Sequence, residues 1–237
     1  MIVLGLDTCT RRVGVVLADD DRVLARVEAA PAVGSPRHVE TVVPAIVWCC
    51  EQAGVAVAAV GAVAVACGPG LFTGVRVGVT TAKTMAAALA VPVVAVPSLD
   101  LLARPLRVAS GLVVATLDAR RGECYWARYR VSGGEVYREG EFGVDAPETI
   151  VAAIASEPAV VVCGDGPRRY PEAFAGCAPT VVRAGPAHEA PDLDALVAIA
   201  TERIARGDFE TAEAVQPLYL RRSDAEIARD AREAGNA

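Results

Sequence analysis

One order of strand-like and helix-like segments occurs twice along the 237 residues, and this repetition constrains the fold more than any single motif. Ile2–Leu6, Val13–Ala18 and Arg22–Glu28 have the apolar, β-branched character of strands, with Asp19-Asp20-Asp21 turning between the second and third. A helix is predicted from Pro36 to about Ala53, with Ser35 as N-cap and Pro36 in the first position, where its missing N–H costs nothing. Gly61–Ala66 follows as a strand, Thr73–Ala90 as a helix and Val93–Val96 as a buried strand. After Arg104-Pro105 three more strands are expected at Leu112–Leu117, Glu123–Val131 and Glu135–Phe142. A helix near Pro147–Ala155, a strand at Ala159–Cys163 and helices near Arg168–Ala175 and Pro191–Arg206 complete the second unit. Helices alternate with strands only late in each unit, which excludes a doubly wound dinucleotide fold. The pattern predicts a duplicated α/β chain of two βββαβα-type subdomains, residues 1–103 and 104–237.

Within the first unit, the strand before Cys67 runs into Gly68-Pro69-Gly70-Leu71-Phe72-Thr73-Gly74, and that loop opens a helix. Glycines allow close backbone approach, Thr73 is placed to cap the helix, and a helix N-terminus favours an anion. The spacing is G-x-G-x-x-x-G, without the G-x-G-x-x-G of a dinucleotide fingerprint or the Gly-Lys-Ser/Thr of a P-loop. A phosphate-type loop and a strand-to-helix turn without ligand both fit.

Charge and cysteine usage exclude further classes. The net charge is −6 and Lys83 is the only lysine. Such a chain is a poor polyanion binder, because phosphate neutralisation supplies most non-specific nucleic-acid affinity. Arg120-Arg121, Arg168-Arg169 and Arg221-Arg222 are the counter-indication, but Glu123, Glu172, Asp224 and Glu226 lie close in sequence and are expected to screen them. The seven cysteines are scattered without any C-x-x-C, which suits reduced packing thiols in a cytoplasmic protein rather than disulfides or a zinc site. No apolar run reaches ~18 residues, and Met1–Asp7 lacks a basic leader, so it is predicted to be a strand and neither signal peptide nor membrane span.

Several short motifs together resemble the TsaB (YeaZ) family. They are Asp7-Thr8 at a strand end, His38-Val39-Glu40 with Val43-Pro44, the Gly68–Arg76 loop with Ala82-Lys83 after it, Pro92–Ser98, Asp118–Glu123, Gly164-Asp165-Gly166 and Pro217-Leu218-Tyr219-Leu220-Arg221. The resemblance runs over nearly the whole chain. It implies the duplicated fold of the actin, sugar-kinase and Hsp70-ATPase superfamily. It also implies a non-catalytic subunit that pairs with TsaD and TsaE to form N6-threonylcarbamoyladenosine at position 37 of tRNAs reading codons that begin with A. On this reading tRNA is met only through the complex, the isolated chain forms homodimers, and ATP or ADP binds only in the complex, if at all.

Two rival functions are weighed against that reading. A metallopeptidase or TsaD-like metal site needs clustered ligands, commonly two histidines one helical turn apart. His38 and His188 are 150 positions apart, so no metal site is expected. An ATP-dependent small-molecule kinase needs an Asp on the first strand, glycine-rich hairpins around the phosphates and a late glycine-rich turn. Asp7 and Thr8, Gly68, Gly70, Thr73, Gly74, Asp118, Gly164, Asp165 and Gly166 fall in those places. Thr8-Cys9-Thr10-Arg11-Arg12 nevertheless has no glycine to let backbone amides wrap a phosphate, so these loops are expected to be vestigial and no catalytic residue is assigned.

Helical periodicity assigns Val39, Val42, Val43, Ile46, Cys50 and Ala53 to the core face of the first helix, leaving Thr41, Ala45, Trp48 and Gln52 outside. The second helix has a core stripe of Val75, Val79, Ala82, Met85, Ala86 and Leu89, with Val77, Thr81, Thr84 and Ala88 on its back. Uncharged backs with a tryptophan suit a protein interface, where charge is depleted and aromatics are enriched. The resemblance places TsaD docking, and the overlapping homodimer face, on these helices.

Overall fold

The computed structural model describes residues 1–20, 22–31, 34, 37–175 and 181–221. The first unit contains β1 (Ile2–Asp7), β2 (Val13–Asp19), β3 (Arg22–Ala29), α1 (His38–Ala53), β4 (Ala62–Ala66), α2 (Phe72–Leu89) and β5 (Val93–Val96). A short helix, α3 (Ser98–Ala103), leads to β6 (Gly111–Arg120), β7 (Glu123–Ser132), β8 (Glu135–Asp145), α4 (Pro147–Ile154) and β9 (Val160–Gly164). The chain continues through α5 (Gly166–Arg169), α6 (Pro171–Ala175), β10 (Val181–Arg183) and α7 (Leu193–Ala205).

Each unit builds one five-stranded sheet, in the order β3-β2-β1-β4-β5 and β8-β7-β6-β9-β10. In both sheets the central strand pairs antiparallel with the hairpin strand that follows it and parallel with the strand after the crossover helix. The equivalence extends to β10, three residues that the sequence pattern did not single out and that pair parallel with β9. β4, Ala62–Ala66, is buried along its whole length, as expected of a parallel strand covered on both faces.

Helices cover the first sheet on both sides. Leu17 and Val15 lie with the α1 and α2 residues Val42, Ile46, Val75 and Val79 in one core, while Val16 and Ala18 on the other face pack with Leu193 and Val197 of α7. The last helix among the described residues thus covers the first sheet. The joint at residues 98–106 is packed as well: Leu101 belongs to the first core, Leu99, Leu102 and Leu106 to the second.

Several boundaries differ from expectation. α1 begins at His38 with Arg37 as N-cap and no side-chain cap; Ser35 and Pro36 lie outside the described residues, as does Asp21 of the expected turn. α2 begins one residue early, at Phe72, with Leu71 as N-cap, so Thr73 is an exposed residue of the first turn and does not cap it. Val39 and Val43, expected in the core, are 68% and 54% exposed, while Ala45, expected on the surface, is buried at 5%. The buried set of α1 is His38, Val42, Ala45, Ile46, Cys49 and Cys50, a stripe rotated from the expected one. Ala45 and Cys49 are small enough to let the helix approach β2, where the Cys49 thiol lies 3.8 Å from the Val15 carbonyl.

Candidate functional site

The loops that the sequence singled out converge on one cleft between the two sheets, with a volume of about 840 Å³. One wall is the β1–β2 turn (Cys9–Arg11) and the β4–α2 loop (Gly70, Leu71); the other is the β6–β7 turn (Asp118 to Gly122) and the segment Asp165 to Tyr170. Asp7, Thr8, Gly68, Thr73, Gly74, Gly164 and Gly166 lie in or beside these loops but do not line the cavity.

The β4–α2 loop spends its backbone on protein contacts. The Leu71 N–H donates to the Cys9 carbonyl at 2.7 Å, and a Cβ on Gly70 would run into that same carbonyl. Ser98 donates its N–H to Gly68 O at 2.8 Å and its hydroxyl to Pro69 O at 2.5 Å. Leu218 donates to Cys67 O at 2.7 Å, from the far end of the chain. The glycines therefore serve close backbone packing, which is what a strand-to-helix turn without ligand requires. Gly164 and Gly166 behave alike, since a Cβ on either would strike Thr116.

The carboxylates of the cleft are also engaged. Asp118 accepts from the Tyr170 hydroxyl at 2.7 Å and from the Arg120 N–H at 2.9 Å, and it pairs with Arg169 at 3.4 Å. Asp165 accepts the Asp118 N–H at 2.8 Å, and burial raises its pKa above the ordinary aspartate range. Asp7, at the end of β1, is 1% exposed; one of its oxygens accepts the Cys9 N–H at 2.9 Å and the other has no partner. Desolvation pushes its pKa up to about 6, against the lowering effect of that N–H and of Arg12. Cys9 borders the cleft, and burial raises its thiol well above the ordinary value, which disfavours the nucleophilic thiolate. The ring of His38 is bonded to the Thr10 carbonyl at 2.7 Å. Among the described residues, no group of three or more His, Cys, Asp or Glu is placed to hold a metal ion.

Arginine dominates the rest. Arg11, Arg120, Arg121, Arg168 and Arg169 all line the cleft and all are exposed. Two of the arginine clusters, Arg120-Arg121 and Arg168-Arg169, are therefore gathered in one cleft, against expectation, while the expected partial screening holds, with Arg221 paired to Glu123 and Arg169 to Asp118. Glu123 pairs at 2.8 Å with Arg221, which also donates to Ala119 O; Glu189 takes Arg168 at 2.6 Å. Arg222, Asp224 and Glu226 lie outside the described residues. The missed signal was the pairing of two sequence-distant loops, which only the duplicated topology brings together.

A second surface lies on the helices. The solvent side of α1 is a ridge of Val43, Pro44, Val47 and Trp48, with Val47 44% and Trp48 45% exposed and Val39 beside them. Gln52 is exposed; Thr41 is half-buried, and its hydroxyl donates to Arg37 O at 2.7 Å. On α2, Thr84 and Ala88 are exposed and Val77 and Thr81 are half-buried, while the expected core stripe is buried or half-buried. Lys83 does not join that surface, because its ammonium caps Val215 O at 2.9 Å and Glu213 O at 3.3 Å. Beyond it the terminal segment stacks Tyr219 on Phe72, with ring centroids 5.1 Å apart. No helix among the described residues is long and apolar enough to cross a membrane.

Comparisons with known proteins match this architecture. The family model described as "TsaD: tRNA N6-adenosine threonylcarbamoyltransferase" matches residues 29–229. The tRNA threonylcarbamoyladenosine biosynthesis protein TsaB of Escherichia coli is 30% identical over 227 residues, covering 93% of this chain and 95% of that protein. An uncharacterized Mycobacterium leprae protein is 42% identical over 131 residues, a match covering 54% of this chain and only 35% of that longer relative. The structure of YeaZ from Pseudomonas aeruginosa superposes with a TM-score of 0.77 at 30% identity, covering 92% of this chain and 99% of that one. The two equivalent sheets thus share the fold of YeaZ.

Proposed function

The chain belongs to the TsaB family of tRNA threonylcarbamoyladenosine biosynthesis proteins, and from that premise we propose that it is a non-catalytic subunit that pairs with TsaD. TsaE joins the pair, and the assembly forms N6-threonylcarbamoyladenosine at position 37 of tRNAs reading codons that begin with A. Isolated in the cytoplasm, the chain self-associates through an overlapping face, and nucleotide binds only at the assembled complex. The observation that carries this reading is the uncharged ridge on α1, where Val43, Val47 and Trp48 are exposed beside Val39. Large apolar side chains grouped on one solvent-facing helix, with a tryptophan among them, have the composition of an interface core. The interface set keeps Thr41, Trp48 and Gln52 of α1 and Val77, Thr81, Thr84 and Ala88 of α2. Val39, Val43 and Val47 replace the buried Ala45.

Absence of catalysis is supported by the state of the cleft's acids. Asp118 and Asp165 are occupied by protein donors, and Asp7 is walled off from the cavity. A kinase would need one of them free to hold Mg²⁺ or orient a nucleophile.

Trp48→Arg tests the interface. The variant is expected to melt like the wild type and to bind TsaD more weakly by about 2 kcal/mol, roughly thirtyfold in Kd, since it places a charge in a surface desolvated on association. Calorimetric titration with TsaD measures this, and wild-type affinity in the variant would remove α1 from the contact.

A further inference from the structure

We infer that the arginine-lined cleft between the two sheets is a direct seat for the phosphodiester backbone of RNA, so that this chain itself contacts the tRNA on which its complex acts. The inference rests on the TsaB reading for the identity of the RNA, but its chemistry stands on the cleft alone.

Five guanidinium groups line a single cavity: Arg11 on the first unit's hairpin turn, Arg120 and Arg121 on the equivalent turn of the second, Arg168 and Arg169 on α5. Two aspartates share that lining; Asp118 pairs with Arg169, Glu189 pairs with Arg168, and Arg11 donates to the Gly34 carbonyl. Positive charge is thus in excess here, although the chain as a whole carries −6. A cleft in which one sign of charge is in excess concentrates its field, so local charge counts for more than the global sum. The planar guanidinium fork matches phosphate oxygens two at a time.

The turn that carries two of these arginines is held in an unfavourable conformation. Arg120 and Arg121 have φ of 63° and 56°, in the left-handed region that residues with a Cβ rarely adopt, and Gly122 follows at 81°. A two-residue hairpin turn of this kind ordinarily selects Asn-Gly or Asp-Gly. The two turn residues here are Arg121 and Gly122, between the paired Arg120 and Glu123, so the glycine is as expected while arginine stands in place of Asn or Asp, and Arg120 at the strand end brings a second cation to the cleft. The surroundings hold that turn in place: Arg120 N–H on Asp118, and Arg221 of the terminal segment donating to Ala119 O at 3.1 Å and pairing with Glu123. Non-glycine residues kept in such conformations cluster at functional sites.

A polymer fits this cavity better than a free nucleoside triphosphate. The glycine loops that would cradle a terminal phosphate are packed on Cys9 and Thr116, and both lining carboxylates are taken by protein donors. Exposed guanidinium groups lie on both walls. That arrangement suits successive backbone phosphates, each neutralised singly, rather than one clustered triphosphate.

The test uses the full chain, alone and with TsaD, and a tRNA transcript in filter-binding titrations from 50 to ~200 mM salt. Arg120→Glu with Arg168→Glu is expected to weaken tRNA binding at least tenfold and to lower the slope of log K against log salt by about one or more, while Arg107→Glu, an exposed arginine outside the cleft, changes neither. The neutral pair Arg120→Gln with Arg168→Gln, monitored by melting temperature, separates charge from folding. Ultraviolet cross-linking of wild-type protein to 4-thiouridine tRNA is expected to label peptides containing residues 118–122 and 165–170. Unchanged affinity and slope in folded variants, or cross-links elsewhere only, overturn the proposal. So does ATP–Mg²⁺ binding that the charge reversal abolishes while tRNA affinity stays as in the wild type, since that assigns the cleft to a nucleotide. Association with TsaD is scored separately. Failure of the family reading appears as no complex, whereas failure of this inference appears as an intact complex whose tRNA affinity ignores the substitutions.

Discussion

Alanine at Gly74 is expected to destabilise the protein by about 3 kcal/mol, and valine by more, at the upper end of what overpacking of a tight interior costs. Gly74 sits in the first turn of α2, buried against the end of β1. An added Cβ would lie inside contact distance of the Thr8 carbonyl oxygen and 3.0 Å from Cε1 of His38. The Thr8 oxygen is backbone and cannot swing aside. Relief would require α2 to move off the sheet, breaking the 2.7 Å bond from the Thr8 hydroxyl to Gly74 O and loosening Val75 and Val79 in the core. The damage thus arises at the strand end, in addition to any crowding of the Gly68–Thr73 turn. For a domain of this size 1 kcal/mol corresponds to about 2–4 °C, so the alanine variant should melt ~6–12 °C lower. Gly185→Ala, where nothing lies within 4 Å and φ is ordinary, should stay within ~0.5 kcal/mol of wild type. A Gly74→Ala protein melting within ~2 °C of wild type would mean that the helix start is free to shift.

Asp7→Asn is expected to stabilise the protein near pH 7 by on the order of 3 kcal/mol, the free-energy equivalent of raising an aspartate from 3.8 to about 6. The cause is a carboxylate removed from water with one oxygen unpartnered. The sign follows from proton counting. Between pH 3.8 and about 6 the folded chain holds a proton that the unfolded chain has released, so this group's contribution to stability falls as pH rises and is fully unfavourable above about pH 6. Asparagine keeps an oxygen for the Cys9 N–H and carries no charge. The stability gap between variant and wild type should therefore open from pH 4 to pH 6 and stay level above it, which denaturant titrations at several pH values measure. In reconstituted tRNA modification the same variant should lose much less than the ~100-fold expected when a catalytic group is removed. A thousandfold loss with complex formation intact would falsify the non-catalytic reading.

The site is partly legible in the sequence. Asp7, the Gly68–Gly74 loop, Asp118 and Gly164–Gly166 were identifiable because turns and strand ends leave local marks in glycine, proline and aspartate. What those loops do was not legible. That Gly70 abuts Cys9, that Gly164 abuts Thr116 and that Asp118 is held by Tyr170 are contacts between segments far apart in the chain. The phase of α1 escaped for a different reason. Its valines form two neighbouring stripes, one through Val42 and Ile46 and one through Val39, Val43 and Val47, and hydropathy ranks them alike. Packing decided between them, because the small Ala45 and Cys49 beside the first stripe let the helix settle close on β2.

Sequence alone determined most of the elements and their duplication, though neither α3 nor β10, since periodicity, turn residues and buried β-branched runs act over a few residues and survive in the linear order. Tertiary structure decided the charge of the cleft. The arginine pairs lie on loops separated by up to 158 positions, from Arg11 to Arg169, and the net charge of −6 describes only their sum with every distant acid. A field depends on distances in space, and those were set when the two sheets closed on one another with their hairpin turns face to face.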